Sequence, residues 1–141
     1  MANLTFDGDV SWSDARFTDV DPAGDRIPGS VRTVMAAGVT VEDVHRVSGS
    51  VRLRYFGTRA LREDGSVMSS PTSLINVAGG YALSPQLRLS IDVFNALNAR
   101  VSDIDYFYVS RLRGEPESGI ADVHFHPALP RTARLTLTAS F

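Results

Sequence analysis

Apolar and polar residues alternate one for one at the end of the chain. Ala133, Leu135, Leu137, Ala139 and Phe141 fall on one side, and Arg134, Thr136, Thr138 and Ser140 fall on the other. A period of two marks a strand with one apolar and one polar face. Five earlier segments repeat it. The first, about Ala2 to Phe17, sets Leu4, Phe6, Val10 and Trp12 against Thr5, Asp7, Asp9, Ser11 and Ser13. The second, about Val31 to Glu42, gathers Val31, Met35, Ala37, Val39 and Val41 on its apolar side. The third, about Val47 to Phe56, sets Val47, Val51, Leu53 and Tyr55 against Ser48, Ser50, Arg52 and Arg54. The fourth, about Ser73 to Leu83, and the fifth, about Gln86 to Leu97, carry Ile75, Val77, Tyr81 and Leu83, then Leu87, Leu89, Ile91 and Val93.

The connections between these segments are sorted by length. Only Asp43–Arg46 and Ser84–Pro85 join the second to the third and the fourth to the fifth, whereas 18–30, 57–72 and 98–130 are long and polar. Both ends of a soluble sandwich face the same solvent. A membrane barrel instead has short turns on one side and long loops on the other. Strands of about ten residues also exceed the usual soluble length of five or six and match a tilted bilayer crossing. Arg32, Arg52, Arg54, Arg88 and Asp92 all fall on polar faces, and an Arg at the lipid midplane costs roughly 2–4 kcal/mol. Trp12, Tyr55 and Tyr81 fall on apolar faces near strand ends, where interfacial aromatics sit. The pattern predicts an all-β fold: an antiparallel up-and-down meander of about six long strands, forming an open sheet from a transmembrane β-barrel. A soluble sheet with one solvated side shares the alternation and is the rival reading.

Composition narrows the function more than the fold. With 141 residues the chain suits one domain, and a net charge of −2 supplies no basic footprint for nucleic acid. No apolar run approaches the length of a membrane-spanning helix. With no Cys there is no disulfide framework or thiol nucleophile. No Gly-x-Ser-x-Gly elbow or Gly-rich phosphate cradle occurs, so we expect neither enzymatic activity nor a cofactor. Met1-Ala-Asn-Leu-Thr-Phe-Asp7 has neither the basic nor the apolar region of a signal peptide.

Several ordered pieces carry a family resemblance. They are Leu89-Ser-Ile-Asp-Val-Phe-Asn-Ala-Leu-Asn98, Ser102-Asp-Ile-Asp-Tyr-Phe-Tyr-Val-Ser-Arg111, Gly114-Glu-Pro116, Asp122-Val-His-Phe-His-Pro127 and the segment from Pro130 to Phe141. Upstream, Asp21-Pro-Ala-Gly-Asp-Arg-Ile-Pro-Gly29 and Leu53-Arg-Tyr-Phe-Gly57 add to them. Together they resemble the carboxy-terminal end of TonB-dependent outer-membrane receptors. The resemblance implies that residues 1–141 are the last part of such a barrel, with plug and signal peptide absent. It implies location in the outer membrane of a Gram-negative bacterium, and uptake of a scarce ligand such as a siderophore, haem, cobalamin or carbohydrate. The implied partners are outer-membrane lipid, the rest of the barrel and its plug, the assembly machinery, and TonB through the missing plug. It further implies that Leu135, Leu137, Ala139 and Phe141 form the recognition signal for membrane assembly. A small porin or adhesin-type barrel is a further alternative, but it needs at least eight strands.

The longest connection holds the candidate ligand contacts. Asp103 and Asp105 alternate as carboxylates and are followed by the aromatics Tyr106 and Tyr108; they either meet an entering substrate or belong to a folded loop. His124 and His126 are two apart, so on an extended segment both point the same way. They either order the loop or, with Asp103, Asp105 or Asp122, offer donors to a borderline metal; no metal is expected. Asp19, Asp21 and Asp25 lack the spacing of a calcium loop.

Overall fold

The computed structural model describes residues 3–141; Ala2, at the expected start of the first strand, lies outside them. Eight strands form: β1 (Asn3–Trp12), β2 (Thr33–Val44), β3 (Val47–Phe56), β4 (Thr72–Ala82), β5 (Leu87–Phe94), β6 (Ser102–Ser110), β7 (Ile120–Pro127) and β8 (Thr132–Ala139). Six of them make one antiparallel sheet in the order β1-β2-β3-β4-β5-β8, and β6 and β7 pair with each other in a separate hairpin. The main sheet is the expected six-stranded meander. The hairpin is a correction to it, folded out of the connection 98–130.

Register explains why the meander holds together. Directly opposed residues of an antiparallel pair share a face. One row across the sheet therefore reads Phe6, Val39, Val51, Val77, Val93, Ala133, and the next reads Leu4, Val41, Gly49, Gly79, Ile91, Leu135. A slip of one residue in any pair would move that strand's apolar set to the opposite side. The apolar side is a continuous band. Trp12 and Tyr55 lie at its loop end, and Tyr81, opposite Val47 and Leu89, lies at its turn end.

The polar face is laced by ion pairs. Arg52 reaches over β2 to grip Asp7 with two hydrogen bonds of 3.2 Å each. Gly38 lies between their strands, and a Cβ there would stand 2.7 Å from Asp7 Oδ1. Glycine is what lets the two side chains meet. In the same way Arg88 lies across Gly80 to Ser48, and Arg134 bonds Asp92, its cross-strand partner, at 3.1 Å.

The sheet is a single layer with little of its own to bury. The accessible surface of the chain is 10090 Å², against about 7,100 Å² for a compact monomer of this mass. Among the described residues only Ala60 and Leu61 are buried apolar side chains, while Phe6 is 71% and Leu135 69% exposed. β1 and β8 are unpaired edges.

Several boundaries differ from expectation. The first strand stops at Trp12 rather than about Phe17, because Arg16 and Phe17 fold back onto Arg26 and Asp25. Arg32 thus precedes β2 instead of lying mid-strand, and pairs with Asp14 at 3.2 Å. The second strand runs on to Val44, since His45 and Arg46 take φ of 51° and 71° in a two-residue turn, the conformation whose twist suits a hairpin. The fifth strand stops at Phe94 because Asn95 turns to φ 48°. Phe141 lies beyond β8 and is fully exposed.

Candidate functional site

All three long connections emerge at one end of the sheet, opposite the turns at His45–Arg46 and Leu83–Gln86. They build on one another there. Arg26 donates to the carbonyl of Glu63, Gly29 to that of Ala60, and Val31 bridges Arg59. Within the first connection Arg16 bonds Asp25 at 2.8 Å and Asp14 at 3.1 Å. The Asp25 bond first, then Asp14, holds its guanidinium pKa above the ordinary value. At the tip of the second, the backbone N–H and hydroxyl of Ser66 both donate to Asp64, which holds that carboxyl below the usual range.

The stem of the hairpin is organised by two asparagines. The Asn95 side chain accepts from Ala99 N at 2.8 Å and donates to the carbonyls of Ala99 and Leu129 at 3.0 Å each. Its own N–H is taken by Asn76 Oδ1 on β4. Asn98, also at positive φ, accepts from Arg131 N at 3.0 Å. Asparagine tolerates this left-handed backbone, so the Phe-Asn-Ala-Leu-Asn motif ties the end of β5 to the start of β8. Neither residue was singled out from sequence as a joint. The signal that was there is the polar pair interrupting an apolar run.

Beyond the stem, β6 lies against the second connection. Arg59 Nη2 bonds Asp105 Oδ2 at 2.9 Å and the Asp103 carbonyl at 3.2 Å. The pair is nearly sealed, with side-chain exposures of 10% and 5%. Thr72 Oγ1 donates to the Ser102 carbonyl at 2.6 Å. A cleft of about 370 Å³ opens between the two pieces, lined by Pro28, Leu61, Tyr106, Phe107 and Tyr108, with Arg59 and Asp105 in its wall.

The residues expected to meet a ligand are thus brought to one hairpin, but to different places on it. Tyr106 and Tyr108 border the cleft and are half exposed. Asp105 is engaged with Arg59, and Asp103, left unpaired by a bulge in β6, offers Arg59 its carbonyl. His124 and His126 do share a face, opposite Tyr106 and Ile104. His124 stacks on Tyr108 with ring centroids 4.0 Å apart and planes 15° from parallel. Among the described residues no three His, Asp or Glu side chains converge as a metal set. Leu135, Leu137 and Ala139 line the apolar side of the edge strand β8. No sequence pattern marks Arg59, since its partner lies 46 residues away.

No family model matches the chain, and no curated protein matches it. Among solved structures it is similar to the ferric-catecholate import receptor Fiu from K12 E. coli in its closed form, with a TM-score of 0.75 and 18% identity. The match covers 98% of this chain and 19% of that one. The fold is therefore that of a stretch of such a receptor, and the chain spans about a fifth of the matched protein's length.

Proposed function

We propose that the chain is the carboxy-terminal wall of a TonB-dependent receptor in the outer membrane of a Gram-negative bacterium, importing a scarce ligand. The observation that carries this reading is the band of apolar side chains across all six strands, left bare by a sheet with almost no core. Such a band is stable against lipid and costly in water. Two open edges cannot stand in hydrocarbon, where every backbone group needs a partner. In this reading further strands of the barrel complete them, β8 pairing with the first strand of the barrel and the polar face looking inward on a plug that meets TonB. Leu135, Leu137, Ala139 and Phe141 serve as the signal read by the assembly machinery. The cleft between β6 and the second connection, with Tyr106 and Tyr108 at its border, is where an entering ligand is met. The role is transport, without chemistry on the ligand.

A small soluble binding module is the competing class, and solubility separates the two. Expressed alone in water, the chain is expected to aggregate, and to gain sheet structure only with detergent or lipid. A monomeric chain that unfolds cooperatively in plain buffer would overturn the proposal.

A further inference from the structure

The β6–β7 hairpin is joined to the main sheet by no strand pairing. It meets the rest of the molecule at its stem, around Asn95, Asn98 and Arg131, and along the start of β6. At that second place a charged pair is taken out of water: Arg59 with Asp105. The other ion pairs among the described residues keep at least one partner well exposed, from Arg16–Asp25 to Arg62–Asp64. Arg59 is itself fixed. Its backbone N–H donates to Ser69 Oγ, its carbonyl accepts from Ser69 N, and its strand segment bridges Val31. Asp105 is flanked by Ile104 and Tyr106, and Tyr108 follows three residues after it.

We infer that Arg59 is a positioning residue that latches the hairpin to the second connection, and so fixes where Tyr106 and Tyr108 stand over the cleft. Without the latch the hairpin is an arm held at its stem, where two asparagines at positive φ form the joint. The buried charges give the latch an all-or-none character, because either partner alone would be left uncompensated away from water. The remaining links are the Thr72 hydrogen bond, which sits at the root of β6 and fixes only its start, and the exposed Arg62 guanidinium 5.7 Å from the Phe107 ring; neither holds the far part of the arm in one place. What the fixed tyrosines are for rests on the receptor reading; how the arm is held does not.

Residues 1–141 hold no cysteine, so once any cysteine elsewhere in the intact protein is replaced by serine, spin labels report only the chosen positions. One pair, Glu63→Cys with Glu117→Cys, spans the second connection and the hairpin tip. A second, Thr40→Cys with Ser90→Cys, spans the main sheet. Pulsed electron resonance on the intact protein in detergent should give a narrow distance for both pairs. In Asp105→Asn and in Arg59→Gln the hairpin distance should lose its narrow peak while the sheet distance keeps it. A narrow hairpin distance in both variants would overturn the latch. So would loss of the sheet distance as well, since the pair would then support the whole fold rather than the arm. Neither result touches the solubility test, so the failure of one idea is distinguishable from failure of the other.

Discussion

Val77 and Ala78 are neighbours on opposite faces of β4, and an arginine at each should have opposite consequences. Val77 is the sixth of the strand's eleven residues and sits in the apolar row between Val51 and Val93. Ala78 faces the polar side between Ser50 and Asp92. If the apolar band lies in lipid, Val77→Arg places a charge near the midplane, at roughly 2–4 kcal/mol. That is about 30- to 1,000-fold in the folding equilibrium. Ala78→Arg puts the same side chain beside a carboxylate in a wet lumen and should change stability by about 0.5 kcal/mol or less. Depth supplies an internal control. Tyr81 is four residues further along the same face, about 13 Å at the usual rise, so Tyr81→Arg approaches the interface and should cost only about 0–1 kcal/mol. Urea titration of the intact protein in lipid vesicles, read by heat-dependent migration on gels, gives all three values. If this single-layer sheet stood in water as it is, its bare apolar face would meet water too, and Val77→Arg would be as mild as Ala78→Arg. Equal effects at the two positions would refute the membrane placement.

Deleting Phe141 from the intact protein should lower its level in the outer membrane while leaving synthesis unchanged; equal levels by fractionation would sink the assembly role. Asn95→Ala leaves part-buried backbone groups at Ala99 and Leu129 without their partner and should cost about 1–3 kcal/mol by urea titration, with Asn95→Asp, which keeps only the acceptor, intermediate. Gly38→Ala should push Asp7 away from Arg52. Because both partners are largely exposed, the loss should stay near 1 kcal/mol or below, and Gly38→Ala should add little to Asp7→Ala in a double-mutant cycle.

The strands of the main sheet were legible because each repeats one simple demand: apolar on alternate residues, charge on the rest. Pairing then followed from chain order, since short turns force neighbours to lie antiparallel. The ends of strands were harder to read. Nothing in the polarity of Ala96 and Leu97 ends β5; what ends it is the left-handed backbone of Asn95, which the joint to β8 requires. The His45–Arg46 turn carries neither Gly nor Asn, so turn chemistry would not have found it. It was found only because alternation lapses there. The β6–β7 hairpin escaped for the opposite reason. Ile104, Tyr106 and Tyr108 stand on one face and Phe107 and Val109 on the other, so both faces are apolar or aromatic and no period of two appears.

That difference between wall and loops has a physical origin. Of the described residues, the buried ones that carry chemistry or packing, Arg59, Ala60, Leu61, Ser69, Thr72, Asn95 and Asp105, lie in the long connections or at the strand ends that meet them. The strands between are exposed on the apolar side and share the polar side among ion pairs with wet surfaces. In the proposed receptor reading, lipid on one face and a filled lumen on the other finish the sheet, which then needs no core of its own. Loops that stand in water must make theirs, and on this chain they do so with a few sealed contacts rather than a hydrophobic centre. What the wall requires is therefore a pattern, which any residue of the right polarity satisfies. What the loops require is particular pairs such as Arg59 with Asp105, whose spacing along the chain obeys no period.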